Sequence, residues 1–381
     1  MTWTQFSDQP NLGLNSPHSR PFSRPHLLSF QGHLLATWTE QPEGQAQGVV
    51  RVARLEGDQW NFVDGGAGLS TNDCASLLGP RLVAVGEDRL LVSFLECERG
   101  AVLGRLLEWD LERDWSEADE GGLNLDPDQA ARSLSFCSDG VGLYGTWIER
   151  SSLGWRVRVV HTGLDGHWSW LDGGGLEGLN AQVEGDAQHP SIAFYGGQLH
   201  LFWVERRGSL RLFGKVFTPP GGWKDHALEP APFELDHPQE TGDHLAPQLV
   251  ATRLGLVLAY GHQTGRVCRW EALRLSPGGF WHREPYAALP QRLGFPAAVT
   301  AWGEGYALAH GIHALQLTSQ GGRSAPARLL PAPGVILNPE SQLTHRALAA
   351  HQGRLYALWI ESTTDAHQNQ AARLCGGWVG D

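Results

Sequence analysis

The stretch of residues 168–205, WSWLDGGGLEGLNAQVEGDAQHPSIAFYGGQLHLFWVE, decides the fold of this chain. It opens on Trp168, passes through a Gly-rich segment, and continues at His189-Pro190 into a strand of alternating apolar and polar residues. A turn at Gly196-Gly197 leads to a second alternating strand that ends in Trp203-Val204-Glu205. Alternating segments joined by short Gly-rich turns are typical of antiparallel β-hairpins.

The aromatic-x-Glu ending of this stretch recurs along the whole chain. Five copies keep it, and two degenerate copies read Tyr260-Gly261-His262 and Leu308-Ala309-His310. The copies are separated by 56, 53, 56, 57, 48 and 51 residues, which is the length of four short strands and their turns. The copies begin at Trp38, Phe94, Trp147, Trp203, Tyr260, Leu308 and Trp359. This repetition predicts an all-β, seven-bladed β-propeller of four-stranded antiparallel blades.

Each copy is interpreted as one blade. Its inner strand begins near a proline or a basic residue, and its outer strand opens on a tryptophan in most copies. A single four-stranded sheet cannot bury both faces, so the copies must pack face to face around a ring. We predict a single domain over residues 1–381, with blades at approximately 22–72, 79–124, 131–180, 189–236, 245–293, 295–337 and 343–381.

The two ends of the chain are predicted to close the ring together. Trp3 precedes Asn15 by twelve residues, as Trp168 precedes Asn180 in the complete repeat. Residues 1–15 are therefore interpreted as the outer strand of the last blade. Trp378 duplicates the tryptophan of that strand, so we expect the last four residues to leave the sheet.

Composition narrows the class of protein. The 48 glycines, 16 tryptophans and single methionine fit short strands and many turns. A net charge of −12 argues against nucleic acid as a partner, because phosphate backbones are bound by clustered positive charge. Five scattered cysteines without a C-x-x-C pair indicate neither a disulfide framework nor a zinc knot. Without an apparent signal peptide or membrane-length apolar run, we expect a cytoplasmic protein that does not bind membranes.

The repeated Glu that ends the second strand is the most conspicuous candidate for chemistry. A residue required in every blade usually satisfies a local need, such as accepting backbone N–H groups, so we predict a structural role. His262 and His310 replace this Glu in two adjacent blades and are candidates for a local site. Trp155 next to an upper-face loop is a candidate stacking platform, with ordinary loop packing as the simpler alternative. The predicted ligand-binding residues are Trp155, His189, His244, His262 and His310.

An acidic loop at residues 234–244 concentrates ionisable groups. Asp236, His237, Asp243 and His244 are weak candidates for metal ligands, but their spacing matches neither an EF-hand nor a helical zinc pair. We interpret the segment as a solvated loop and predict no metal and no cofactor. The sequence contains no nucleophile elbow and no Walker loop, so no catalytic residue is assigned.

The repeat pattern resembles the bacterial propeller repeats grouped with the sialidase-like, Asp-box proteins. The residues that carry this resemblance are the proline before a small apolar strand, the Gly turn, the aromatic-x-Glu ending and the Asp/Gly-x-Trp step. The segment at 164–168, LDGHW, is similar to the end of an Asp-box, although the preceding Ser-x-Asp order is not kept. The resemblance implies a propeller. It would also imply an arginine triad, a Tyr-Glu pair and an acidic acid/base in a sialidase, none of which we assign to positions here.

Three functions are compatible with such a scaffold. The main prediction is a non-catalytic binding propeller, not an enzyme, that engages a protein or glycan ligand through upper-face loops. The alternative is a glycoside hydrolase or lyase with carboxylates in the central funnel, flanking the bond to be cleaved. A third possibility is a structural component of a larger assembly. Fold alone does not choose among them.

Overall fold

The computed structural model is all-β over the residues it describes. These are residues 2–5, 14–15, 19–45, 48–57, 59–69, 77–98, 100–110, 114–119, 121–163, 166–181, 185–207, 209–226, 243–264, 267–276, 278–279, 281–284, 289–292, 298–310, 316–320, 328–329, 342–364 and 370–380. Within these ranges there are thirty strands and no helix, and therefore no helix that could cross a membrane.

The described strands form seven sheets, in which neighbouring strands pair antiparallel. The inner strands, in chain order, are His26–Phe30, Leu77–Val85, Ala131–Ser138, Asp186–Tyr195, Asp243–Thr252, Ala298–Trp302 and Gln342–His351. The second strands are His33–Pro42, Arg89–Glu98, Leu143–Ser151, Gln198–Arg207, Gly255–Thr264, Gly305–His310 and Arg354–Thr364.

The third and outer strands complete each sheet. The third strands are Val49–Glu56, Ala101–Trp109, Gly154–Thr162, Ser209–Thr218, Val267–Leu275, Gln316–Gln320 and Gln370–Gly380. The outer strands are Gln59–Phe62, Trp115–Glu117, Trp168–Trp170, Gly222–Asp225, Trp281–Arg283, Arg328–Leu329 and Thr2–Gln5. Two short strands add to this plan: Ser19–Pro21 pairs with the second strand of the first sheet, and Leu289–Arg292 pairs with the third strand of the fifth.

The sheets close into a ring. Each inner strand contacts the inner strand of the next sheet, and Gln342–His351 contacts His26–Phe30 of the first sheet. Apolar clusters fill the gaps between neighbouring sheets; in the gap between the last and first sheets, for example, Trp38 packs with Leu358. Face-to-face packing of four-stranded sheets around an axis is the architecture of a β-propeller. The predicted all-β propeller of four-stranded antiparallel blades is confirmed.

The last sheet is built from both ends of the chain, as predicted. Thr2–Gln5 pairs with residues 377–380 of the third strand, and the N–H of Leu374 donates to Oδ1 of Asn15 at 3.0 Å. The expectation for Trp378 is wrong, since it lies inside the strand Gln370–Gly380 and pairs with Tyr356 on one side and Thr4 on the other. This strand is eleven residues long, so it extends far enough to receive the N-terminal strand.

The repeated Glu has a structural role. Glu149 is buried and accepts hydrogen bonds from Nε1 of Trp147 at 2.9 Å and from the backbone N–H groups of Leu125 and Asp126 at 2.9 and 3.0 Å. Glu205 likewise accepts from Trp203 and from the N–H of Ala181. The carboxylate thus ties the aromatic residue of its own strand to the loop that leads into its blade.

The recurring Asn fastens the same loop to the sheet. Oδ1 of Asn180 accepts from the N–H of Val157 at 2.9 Å, and its Nδ2 donates to the carbonyls of Trp155 and Gly185 at 3.1 and 2.7 Å. Asn124 makes the equivalent bonds in the preceding sheet. The Asn side chain therefore has a structural role in both sheets.

Buried ion pairs form a further repeated feature, which was not predicted from the sequence. An Asp four residues after the outer tryptophan pairs with an Arg of the third strand, and both side chains are nearly or fully buried. The pairs are Arg51–Asp64, Arg105–Asp119 and Arg158–Asp172, at 2.9, 3.1 and 3.1 Å. The Trp-x-x-x-Asp spacing is the sequence signal that could have identified them.

Candidate functional site at the channel mouth

A β-bulge interrupts most inner strands near their first residues. The register shifts between Leu78 and Arg81 in the second sheet and between Gln188 and Ser191 in the fourth, and at equivalent places in three further sheets. Bulges redirect side chains and are frequent next to functional sites. Here they lie at the end of the central channel where the inner strands begin. We call this end, with Arg24, Arg81, Arg132, His189 and Arg346, the channel mouth.

The channel holds a cavity of about 270 Å³ that is lined by all seven inner strands or the residues just before them. Its charged lining residues are arginines, Arg24, Arg81 and Arg346, and no Asp or Glu of the described part of the chain lines it. Ser135, Ser191 and Gln248 contribute further polar groups. The cavity is therefore positively charged, in a protein whose net charge is −12.

The three arginines come from three different sheets and stand close together. Nε of Arg24 donates to the backbone carbonyl of Arg346 at 3.1 Å, and its Nη2 donates to Oε1 of Gln248 at 3.3 Å. Burial, followed by repulsion from Arg81 and Arg346, lowers the pKa of Arg24 to about 9. Burial lowers the pKa of Arg81 and brings the pKa of Arg346 to about 10. The fold thus holds three positively charged side chains near one another in a partly dehydrated cavity.

His26 contributes a neutral imidazole to the wall of the cavity. Its Nδ1 accepts the backbone N–H of Leu82 in the next sheet at 3.2 Å. Burial and the charges of Arg81 and Arg24 lower its pKa to about 3. Ser135 and Ser191 accept equivalent bonds from the next inner strands, so this position ties neighbouring blades together.

Trp155 is half-buried, and its ring is covered by Arg132. The guanidinium carbon lies 3.8 Å from the ring centroid, and Nη2 of Arg132 donates to the carbonyl of Ala187 at 3.1 Å. The N–H of Trp155 in turn donates to Asp186 at 2.9 Å. Stacking on tryptophan holds a guanidinium in place. The observed role of this ring is therefore to position a cation.

His189 lies on the bulge of the fourth inner strand and is exposed. Its φ of 50° is in the left-handed region, which non-glycine residues seldom occupy. Reduced hydration of the imidazole, followed by the positive charges of Arg132 and Arg24, lowers its pKa. His189 thus belongs to the same group of residues at the channel mouth as Arg132 and Arg24.

The other predicted site residues do not all join this site. His262 is buried in the second strand of the fifth sheet, where Tyr260 donates to Glu271 at 2.8 Å in place of the usual Trp–Glu bond. His244 begins an inner strand and His310 ends a second strand, but their side chains lie outside the described part.

The candidate metal ligands Asp236 and His237 lie outside the described residues, and only the backbone of Asp243 and His244 is described. No group of three or more possible metal ligands occurs among the described side chains.

Comparison with known proteins shows the fold. No known protein family and no curated protein matches the sequence. Among solved structures, the chain is similar to the polysaccharide lyase Uly1, with 12% identity over 93% of this chain and 89% of that chain and a TM-score of 0.55. It is also similar to a Trypanosoma rangeli sialidase in complex with the inhibitor DANA, with 11% identity over 94% of this chain and 55% of that chain and a TM-score of 0.50. A Fusarium graminearum α-L-arabinofuranosidase matches 100% of this chain and 98% of its own at 12% identity and a TM-score of 0.46.

These similarities correct two predictions. The main predictions from the sequence were a non-catalytic binding propeller and no enzyme, whereas the similar structures with TM-scores of 0.50 or more are a polysaccharide lyase and a sialidase. They favour the enzymatic alternative. The error arose because the repeat pattern describes the blades, while a catalytic site on a propeller depends on which rim residues converge.

The arginines of the mouth were not predicted as site residues. The inner strands begin near Arg24-Pro25, Pro80-Arg81 and His345-Arg346, and the sequence interpretation used these basic residues to mark where the strands begin. Their recurrence at the start of several inner strands was the available sequence signal. Their convergence required the ring.

Proposed function

We propose that the protein is a glycan-cleaving enzyme that binds an acidic sugar by its carboxylate at the channel mouth. The convergence of Arg24, Arg81 and Arg346 on one cavity carries this proposal. The similarity of the fold to a polysaccharide lyase and a sialidase supports a glycan as the ligand.

The electrostatics of the cavity favour an anion. Three guanidinium groups in a dehydrated cavity repel one another, and a bound anion reverses that interaction from repulsive to attractive. Guanidinium groups also bind carboxylates through paired, charge-assisted N–H···O bonds, which define the orientation of the ligand. A localised positive mouth on an acidic protein further directs anionic ligands to the channel.

The carboxylate of a sugar fits this mouth better than a neutral sugar. A neutral glycan is recognised mainly through hydroxyl groups and apolar faces, and the ring of Trp155, which could have stacked on a sugar, is already covered by Arg132. The cavity offers guanidinium groups together with the neutral polar groups of Ser135, Ser191 and Gln248. The guanidinium groups would bind the carboxylate of the sugar, and the neutral polar groups would form hydrogen bonds with its hydroxyl groups.

Calorimetric titration with an oligogalacturonate and with a neutral cello-oligosaccharide tests the proposal. We expect binding of the acidic oligosaccharide, and Arg81→Gln should weaken it by about 10-fold to 100-fold, since hydrogen bonds to charged groups contribute roughly 1.5–3 kcal/mol. Arg89→Gln is the matched control, because Arg89 pairs with Glu108 outside the cavity. Equal binding of the neutral oligosaccharide, or unchanged binding by Arg81→Gln, contradicts the proposal.

A further inference from the structure

His189 stands beside the place where the arginines would hold a ligand. The equivalent bulge residues of the second sheet, Gly79 and Pro80, line the cavity, and Ser191, two residues after His189, lines it as well. His189 is exposed beside this lining and close enough to Arg24 and Arg132 for both charges to act on its imidazole. His189 therefore lies outside the cavity lining, at the mouth, where a ligand extending from the cavity would pass it.

The backbone at His189 has the conformation of the repeated bulge, since Gly79, Ser133 and Ala246 at the equivalent positions also have a left-handed φ. A left-handed φ at a non-glycine residue costs free energy and persists only where the surrounding structure enforces it. The bulge thus fixes where the His189 side chain leaves the inner strand, at the end of the channel where the strands begin. Pro190 is the next residue and is buried, which fixes the chain on the other side of the bulge.

The groups at the mouth suit elimination better than hydrolysis. Glycoside hydrolysis generally requires two carboxyl groups on opposite sides of the bond. The described lining of this cavity has guanidinium groups and no carboxyl group. Elimination requires a cation that neutralises the sugar carboxylate, which makes the neighbouring C–H acidic, and an unprotonated base that removes its proton.

We infer that His189 is the base of a β-elimination that cleaves a uronate-containing polysaccharide, an inference that rests on the proposed function. A neutral imidazole nitrogen of His189 takes the proton from the carbon next to the carboxylate. The C–H electron pair forms the C4–C5 double bond, and the C4–O bond breaks. The glycosidic oxygen leaves with the electron pair of the C4–O bond and takes a proton from water, and the hydroxide that remains takes the proton from His189.

Arg24, Arg81 and Arg346 bind the carboxylate and stabilise the negative charge that builds up as the proton leaves. Burial lowers the pKa of His189, and the charge of Arg132, which is held by Trp155 and the carbonyl of Ala187, lowers it further. Arg132 is a positioning residue in this scheme.

The experiment uses polygalacturonate, alginate and hyaluronan as substrates and the ultraviolet absorbance of the new conjugated double bond as the readout. His189→Asn is the test variant, since Asn tolerates the left-handed backbone but cannot act as the base. We expect at least one polysaccharide to yield the unsaturated product. The variant should still bind the matching oligosaccharide, lose activity by about 100-fold or more, and regain part of it with added imidazole.

His282→Ala, at an exposed histidine of an outer strand, is the control and should retain full activity. Full activity of His189→Asn, or cleavage that produces saturated ends, overturns the assignment of His189 while leaving an acidic-glycan enzyme in place. Binding of an acidic oligosaccharide without any unsaturated product also overturns it. Absence of binding to every acidic oligosaccharide overturns the proposed function itself, and the assignment of His189 with it.

Discussion

Two groups of arginines occupy opposite electrostatic environments in this propeller. In the blades, Arg51, Arg105 and Arg158 are buried, and each lies within 3.1 Å of an aspartate oxygen. At the channel mouth, Arg24, Arg81 and Arg346 lie near one another, and burial lowers the pKa of all three. The charges of the first group are balanced by the blades, whereas those of the second group face a cavity that can receive an anion. This difference distinguishes a structural charge from a binding site.

The largest expected effect comes from breaking a blade pair. Asp172→Ala leaves Arg158 buried beside the space where its carboxylate stood, and removing one partner of a buried pair destabilises by about 3–5 kcal/mol. Urea denaturation should show this loss in the free energy of unfolding.

Asp225→Ala is the matched control. Asp225 pairs with Lys215 on the surface, its side chain is 83% exposed, and the expected change is below about 1 kcal/mol. A loss for Asp172→Ala as small as that of the control would mean that the blade arginines do not depend on their aspartates.

A second prediction extends the comparison to histidines. His200 and His226 are in contact through Nδ1 and Nε2 at 3.1 Å in the body of the fourth blade, and burial lowers their pKa values to about 4 and about 3. Below about pH 6.5 these two histidines bind protons in the unfolded chain but not in the folded protein. The free energy of unfolding therefore falls as the pH is lowered from about 6.5 towards 4. The loss should approach roughly 1.4 kcal/mol per pH unit for each histidine.

Denaturation at a series of pH values between those limits measures this loss. His226→Gln should reduce the slope, whereas His282→Ala, at an exposed position, should leave it unchanged. A slope that His226→Gln does not alter would show that the pH dependence arises elsewhere.

The smallest change in the free energy of unfolding is expected at the channel mouth, where a substitution should stabilise the protein. Arg81→Gln removes a dehydrated charge near Arg24, so the free energy of unfolding should rise by about 0.5–2 kcal/mol, as is common where function opposes stability. Arg105→Gln, in the blades, should instead destabilise, because Asp119 loses its partner. Both variants are compared by urea denaturation. Destabilisation by Arg81→Gln as well would remove the distinction between the two groups.

The repeat made the blades predictable. Strand order, turn positions and the structural role of Glu149 and Glu205 could be predicted from residues that are close in sequence, because strand alternation and tight turns are local properties. The closing role of Thr2–Gln5 was also predictable, since its Trp-to-Asn spacing matches the complete copies. The strand containing Trp378 was misjudged because strand length depends on the partners available on both sides.

The candidate site was far less predictable. His189 and Trp155 were selected as ligand residues, and the structure places one at the mouth and the other beneath Arg132. His262 was chosen because it breaks the repeat, but that break is accommodated locally by Tyr260 and Glu271. A departure from a repeat therefore does not by itself identify a site.

The sequence alone determined the all-β propeller, the order of its strands and the closure of the ring, because each depends on a pattern repeated in neighbouring residues. Only the tertiary structure decided that Arg24 and Arg346, 322 positions apart, share one cavity with Arg81. The ring places the first residues of every inner strand around one axis, and the bulges set which side chains meet there. Residues from distant repeats meet only because the ring closes, so the sequence of a single repeat does not reveal which of them will be neighbours.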